Sequence, residues 1–272
     1  TVFKSYPAEH TALVMWDHAN GWEGFSSDES AQNGLMSPDQ MQVAMTQILQ
    51  QSSMDRFSLV SFDACLMAEL EVALSMRPVA DYLLASEQIV PEYGMDYRFI
   101  GEATSSDAEH FGATMIEGFR QYAATTDGAA GITMSLLDLA KLQPVVDAAN
   151  GLQQALDADA ATAVEFLRAA DQSSAFGYDA DPRQNSHLRD LGQIGDYLVS
   201  GGTSLAAPAG QLVAAVDAAV VTHTEGVAFT GAHGLSVYAP ISIEHFKSSF
   251  NDVSMASTWS AVLDAAYGAG AD

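Results

Sequence analysis

Thr11 to Trp16 and Phe57 to Phe62 are short, nearly continuous apolar runs. Runs of this length with apolar residues on both faces predict buried strands. Tyr82 to Ala85 and Ile132 to Leu137 read the same way. Between the first two runs, Ser37-Pro-Asp-Gln40 offers an N-cap, a proline at the first helical position and a capping-box glutamine. Met41, Ala44, Met45, Ile48 and Leu49 then follow at helical spacing. Strand, helix, strand in this order predicts a parallel, right-handed βαβ unit whose strands end at the same edge of the sheet. Open α/β sheets place their sites along that edge.

Leu66 to Arg77 lacks Gly and Pro, repeats apolar residues at Leu66, Leu70 and Leu74, and stops at Pro78, so a helix is predicted to begin at Cys65. Another is predicted from about 107 to 122, opening with the box Ser106-Asp-Ala-Glu109. The second half predicts helices near 138–156, 159–170, 187–199, 208–221 and 257–267, and a strand pair around Val227 to Phe229 and Leu235 to Tyr238. The connections Gly177 to Asn185 and Gly201 to Pro208 are too short and too mixed to be interdomain linkers. One α/β domain over 1–272 is the expectation, close to the size at which a single core stops growing.

Charge narrows the function. Ten basic against 35 acidic residues give a formal charge of -25, and the only lysines are Lys4, Lys141 and Lys247. Such a surface repels nucleic acid and anionic membranes and attracts cations. No apolar run approaches the roughly 20 residues needed to span a bilayer, so membrane insertion is not expected. Cys65 is the sole cysteine, which rules out an internal disulfide.

Both candidate chemical groups follow apolar runs: Asp17-His18 after the first and Asp63-Ala64-Cys65 after the second. A helix starting at Cys65 would set unpaired N–H groups and a positive dipole end beside the sulfur, and His18 on the neighbouring strand end would complete a nucleophile–base pair. Asp63, two residues before Cys65 on an extended segment, projects to the same side and disfavours the thiolate. It either binds something cationic or caps the following helix. Backbone N–H groups of Cys65 and of the turn after His18 are the natural oxyanion donors. No Gly-x-Ser-x-Gly elbow supports a serine hydrolase.

Trp16-Asp-His18 followed by Gly21-Trp22, and Phe62-Asp-Ala-Cys-Leu-Met67, resemble the two signature blocks of the clostripain family of cysteine peptidases (family C11). Tyr6 to His10, Ala85-Ser-Glu87 with Tyr93-Gly94, Thr133 to Asp138, Asp190-Leu-Gly192 and Gly234 to Pro240 resemble further family blocks in the usual order, so the similarity spans nearly the whole chain.

The resemblance implies a caspase-like three-layer sandwich, with a mostly parallel central sheet flanked by helices. It implies hydrolysis of protein or peptide substrates after Arg or Lys through a thioester, with His18 and Cys65 catalytic. The oxyanion donors are then the N–H groups of Ala19 and Cys65, where Ala19 stands in the family's usual glycine position. Asp63 is assigned to the pocket for the basic side chain, with Glu87 and Glu92, alongside Asp96, as a second acidic wall. The alternative is a catalytically silent relative that binds basic peptides or surface partners.

No cofactor is expected to be required. The histidines lack metal-ligand spacing, and Asp179-Ala-Asp181 with Asn185 lacks the glycine and closing glutamate of a calcium loop. Calcium is nevertheless allowed, since relatives depend on it. Relatives also have strands upstream of the His-bearing strand, so a retained N-terminal fragment is expected as a pairing partner. Between Lys4 and Arg56 there is no Lys or Arg, which predicts no basic-directed nick in the connection between the His and Cys blocks. Family and surface charge together imply a secreted, periplasmic or cell-surface protein.

Overall fold

In the computed structural model, residues 2–28, 30, 34–103, 107–126, 128–178 and 184–268 are described. The strands are β1 (Ala12–Trp16), β2 (Phe25–Asp28), β3 (Gly34–Met36), β4 (Phe57–Asp63), β5 (Ala80–Ala85), β6 (Thr133–Asp138), β7 (Ala175–Phe176), β8 (Leu188–Asp190), β9 (Val220–Glu225) and β10 (Ser236–Tyr238). The helices are α1 (Val2–Ser5), α2 (Pro38–Ser52), α3 (Leu70–Met76), α4 (Ile100–Ala103), α5 (Ala108–Ala123), α6 (Leu142–Ala158), α7 (Ala163–Gln172), α8 (Leu191–Gly201), α9 (Ala206–Ala219) and α10 (Ser257–Gly268).

The main sheet has the order β1-β4-β5-β6-β9. β1, β4 and β5 pair in parallel, whereas β6 runs antiparallel to both of its neighbours, so four of the five strands share one direction. Consecutive residues alternate between two apolar layers. Leu59, Leu84 and Leu136 face one side, where α5 brings Met115, Ile116 and Phe119. Val60, Leu83 and Leu137 face the other, packed with residues of α2, α3, α6 and α8 to α10. The result is the expected three-layer sandwich with a mostly parallel centre. Side chains of alternating direction on strands buried on both faces are the physical reason the runs of β4, β5 and β6 read as continuous rather than alternating, whereas β1, at the end of the strand order, is only partly covered and is not the buried strand its apolar run predicts.

The capping box at Ser37 forms as expected: Gln40 N–H donates to Ser37 Oγ, and Ser37 N–H donates to Gln40 Oε1. Two local expectations are corrected. α5 is capped by Asp107, whose carboxylate accepts from His110 N–H, so the helix starts one residue later than a cap at Ser106 would require; Ser106 itself lies outside the described residues. Val227 to Phe229 is a 3-10 turn rather than a strand. β10 pairs antiparallel with β8 instead. Asp179 and Asp181 of the incomplete calcium motif also lie outside the described residues.

An acidic chain buries some of its acids, and four of them meet in two pairs. Glu69 and Glu71 are fully buried at the start of α3, and burial together with the charge of Glu71 pushes Glu69 up. Glu87 and Asp190 form a second buried pair, in which burial and the charge of Asp190 push Glu87 up. Two carboxylates this close in a low-dielectric interior cannot both ionise, so each pair holds a proton. Burial pushes Glu69 and Glu87 well above the ordinary carboxyl range and raises Glu71 to about 7.

Between pH 5 and 8 the folded chain therefore holds more protons than the unfolded chain, and stability falls as pH rises through that window. Urea midpoints measured across it should decline for the parent and decline less for Glu71→Gln, by on the order of 1–3 kcal/mol over the range. Parallel declines in the two proteins would show that the pair does not titrate as described.

Candidate active site

The register between β1 and β4 sets the site. Trp16 lies opposite Asp63. Both strands end there, and the turns that follow carry His18 and Cys65 from the same edge of the sheet. All four line one cleft of about 330 Å³, with Asp17, Ala64, Val90, Pro91, Glu92 and Gly94 completing the wall. The topology thus brings together the predicted nucleophile, its histidine and the predicted pocket carboxylate.

The local structure around the cysteine differs from expectation. Leu66 takes a left-handed conformation, with φ of 66°, and α3 does not begin until Leu70. Leu66 N–H and Ala68 N–H instead donate to the carbonyls of Gln88 and Ser86, so this stretch pairs laterally with the chain leaving β5. The i, i+4 apolar spacing that suggested a helix from the cysteine reflects residues buried on several sides at once.

No helix end sits at the sulfur. Burial pushes the Cys65 thiol up, and the nearby charge of Asp63 adds to this, while N–H groups of Val90 and of Cys65 itself donate to the sulfur and draw it back down. The signal for Val90 was absent from the sequence because a backbone donor carries no residue signature.

Asp63 is 3% exposed. Its carboxylate accepts from Met95 N–H at 3.0 and 3.2 Å and from the Tyr97 hydroxyl at 2.6 Å. It does not cap α3, as the alternative reading of this residue would require. Gly94 adopts φ of +63°, and a Cβ there would lie 2.8 Å from Asp63 Oδ2, so the turn can approach the carboxylate only as glycine.

Glu92 joins the cleft wall, but Glu87 does not: it is buried against Asp190, and a backbone N–H of Gly234 donates to it. Asp96 also stands apart, capping the 3-10 turn Tyr97–Phe99 and pairing with Arg98 at 2.6 Å. The proposed second acidic wall therefore reduces to Glu92.

His18 is exposed at the end of β1. Asp17 fixes its backbone by accepting from His18 N–H at 2.7 Å and from the Ser26 hydroxyl at 2.9 Å. Ser26 N–H donates to the His18 carbonyl, and Asn20 N–H to Gly24, forming a bridge across Ala19 and Phe25. Since the flanking residues make those bonds, the Ala19 N–H points away from that bridge. Ala19 is not at positive φ, so the glycine-to-alanine departure introduces no backbone strain.

The turn is held from beneath. Trp22 N–H donates to buried Glu69 Oε2 at 2.5 Å, and Gly21, at φ of +57°, presses against the same carboxyl. Glu69 had no place in the motif reading because its role depends on a contact 47 residues away in sequence.

The support of Asp63 yields a direct test. Gly94→Ala is expected to lower stability by about 1–2 kcal/mol, from the left-handed backbone and the displaced carboxylate. Tyr97→Phe should cost on the order of 1–3 kcal/mol by removing a hydrogen bond to a buried charge. Urea denaturation measures both, and unchanged midpoints would show that Asp63 does not depend on these contacts.

The sequence pattern of the clostripain family, peptidase C11, matches residues 1–264. A search of curated proteins gives no match. Among solved structures, an inactive zymogen C11 protease from Parabacteroides distasonis shares 19% identity, covering 94% of this chain and 72% of that one with a TM-score of 0.69. A secreted C11 cysteine protease from Bacteroides thetaiotaomicron, in complex with an irreversible peptide inhibitor, shares 18% identity over 95% of this chain and 75% of that one, with a TM-score of 0.68. A clostripain from Bacteroides thetaiotaomicron in complex with a peptide inhibitor shares 16% identity over 86% of this chain and 98% of that one, with a TM-score of 0.61. These likenesses agree with the fold, and the match over nearly the full length shows that the chain belongs to the clostripain family and is a cysteine peptidase.

Proposed function

We propose that this peptidase cleaves protein or peptide substrates after Arg or Lys, with Cys65 as nucleophile and His18 as general base and acid. The observation that carries the reading is Asp63: a nearly fully buried carboxylate lining the same cleft as Cys65, with hydroxyl and backbone donors but no cationic partner among the described residues. Burying a charge is costly unless an opposite charge joins it, and a basic substrate side chain supplies one. Glu92 at the cleft wall adds negative potential on the approach.

His18 takes the thiol proton as sulfur attacks the scissile carbonyl carbon. The oxyanion is received by the N–H groups of Ala19 and Cys65. Collapse breaks the C–N bond, and His18 passes its proton to the departing amine, leaving a thioester. Water, deprotonated by His18, then attacks the thioester and releases the carboxylate product and the thiol. The elevated thiol favours this base-assisted route over a standing ion pair.

A protein of charge -25 and a homologue described as secreted support a place outside the cell. No helix among the described residues is long and apolar enough to cross a membrane. β1 forms one end of the main sheet's strand order, and an N-terminal fragment of the protein is the partner proposed for its outer edge.

Peptides carrying Arg, Lys, Asp or Leu before a fluorogenic leaving group test the assignment. The parent should turn over the Arg and Lys peptides alone, Cys65→Ala should abolish turnover, and Asp63→Asn should lower kcat/KM on both basic peptides by at least about 100-fold, as expected for removing a buried counter-charge. Equal turnover of the Leu peptide would overturn the specificity. Alkylation of Cys65 as a function of pH checks the electrostatics: the Asp63 charge raises the thiol, so Asp63→Asn should shift the alkylation midpoint to lower pH. A midpoint that stays in place would remove Asp63 from the thiol's environment.

A further inference from the structure

Three tryptophans occur in the chain, and two are core residues: Trp22 is 4% exposed and Trp259 1%. Trp16 is 73% exposed. Leaving a large apolar ring in water at the end of a strand forgoes the stabilisation its burial would bring. Packing therefore does not account for it. Its position is specific, since it lies opposite Asp63 in the β1–β4 ladder, on the same face, and lines the cleft that holds Cys65.

An aromatic face beside a carboxylate is a two-part receptor for an organic cation. The carboxylate takes the charge through hydrogen bonds, and the ring takes the face of the cation through its quadrupole. The two parts are not equally selective. A guanidinium is planar, weakly hydrated and able to stack while its edge forks onto a carboxylate, whereas an ammonium is compact and strongly hydrated. Asp63 is already held in place by Met95 N–H and the Tyr97 hydroxyl, so the carboxylate is fixed before the cation arrives.

We propose that Trp16 is a specificity-determining residue that stacks on the guanidinium of an arginine bound at Asp63 and so makes the enzyme prefer arginine over lysine before the cut. This rests on the reading of Asp63 as the base of the pocket for a basic side chain. Because the Trp16 ring is exposed, its replacement leaves the core intact, and loss of activity cannot be ascribed to unfolding. Thermal melts of each variant should match the parent.

The experiment compares the parent with Trp16→Phe and Trp16→Leu on peptides that differ only in carrying Arg or Lys before the cut. On the Arg peptide, Trp16→Leu should raise KM about tenfold with kcat within about twofold, the size of a partly desolvated cation–π contact. Trp16→Phe should keep at least about a third of the parent's kcat/KM, because a smaller aromatic face remains. The Lys peptide should lose no more than about threefold in either variant, so the Arg-to-Lys ratio falls in Trp16→Leu. If Leu serves as well as Phe, or if Arg and Lys fall together, the stacking role is overturned while cleavage after basic residues still stands. If the parent shows no preference for basic residues at all, the pocket assignment fails and the role of Trp16 fails with it.

Discussion

The parallel pairing of β1 with β4 is the constraint on which the site depends. Its register sets Trp16 opposite Asp63, and the turns leaving the two strand ends carry His18 and Cys65 to one cleft. A slip of one residue would turn each side chain to the opposite face and separate the histidine from the sulfur. The pairing is well defended against that slip. Phe57, Leu59, Val60 and Phe62 are essentially inaccessible on the two faces of β4, so displacement would expose large apolar area. Catalytic geometry and core packing are here one requirement.

Beyond the strand ends, the chain fixes its turns mostly with backbone donors and buried acids. Glu69 accepts from Trp22 N–H and so ties the turn after His18 to the start of α3. Asp190 caps α8 through Gln193 N–H and accepts from His233 N–H, while His233 is itself clamped by Asp217 at 2.8 Å and Asp196 at 3.1 Å. Glu87, on the chain leaving β5, is buried beside Asp190. A carboxyl that stays protonated in the interior still accepts from a backbone N–H, as Glu69 does from Trp22, and adds no charge there. In a protein with 35 acidic side chains, neutral buried acids supply internal ties without adding to the self-repulsion of the surface.

Much of this was legible in the sequence, for identifiable reasons. The runs before His18 and Cys65, the box at Ser37 and the amphipathic spacing of α2 are local signals, and local signals set where strands and helices lie. The common strand edge then follows from βαβ topology, which is why His18, Cys65 and Asp63 could be grouped without coordinates. What could not be read was lateral pairing. Leu66 to Ala68 bonds to Ser86 and Gln88, turning a helical spacing into a left-handed turn. Glu87 resembled a cleft acid by its place after β5 but faces the interior, because one step along an extended chain reverses a side chain's direction. The reversal of β6 likewise left no mark in its own residues.

Asp63 sits at a point where recognition and reactivity oppose each other. Its charge makes the cleft attractive to a cation and at the same time raises the neighbouring thiol. On the proposed reading, a basic substrate side chain resolves the conflict: once it is bound, the field of Asp63 at the sulfur is largely cancelled, and one obstacle to forming the thiolate is lifted. Burial strengthens both effects, because low dielectric magnifies the carboxylate's influence on the thiol and on the cation alike. The hydroxyl of Tyr97 and the N–H of Met95 hold the carboxylate in place while the cleft is empty, so it does not have to be reoriented when substrate enters. The thiol is then least reactive in the absence of a matching side chain. Discrimination therefore has two origins, in how tightly a substrate is held and in how readily sulfur attacks it.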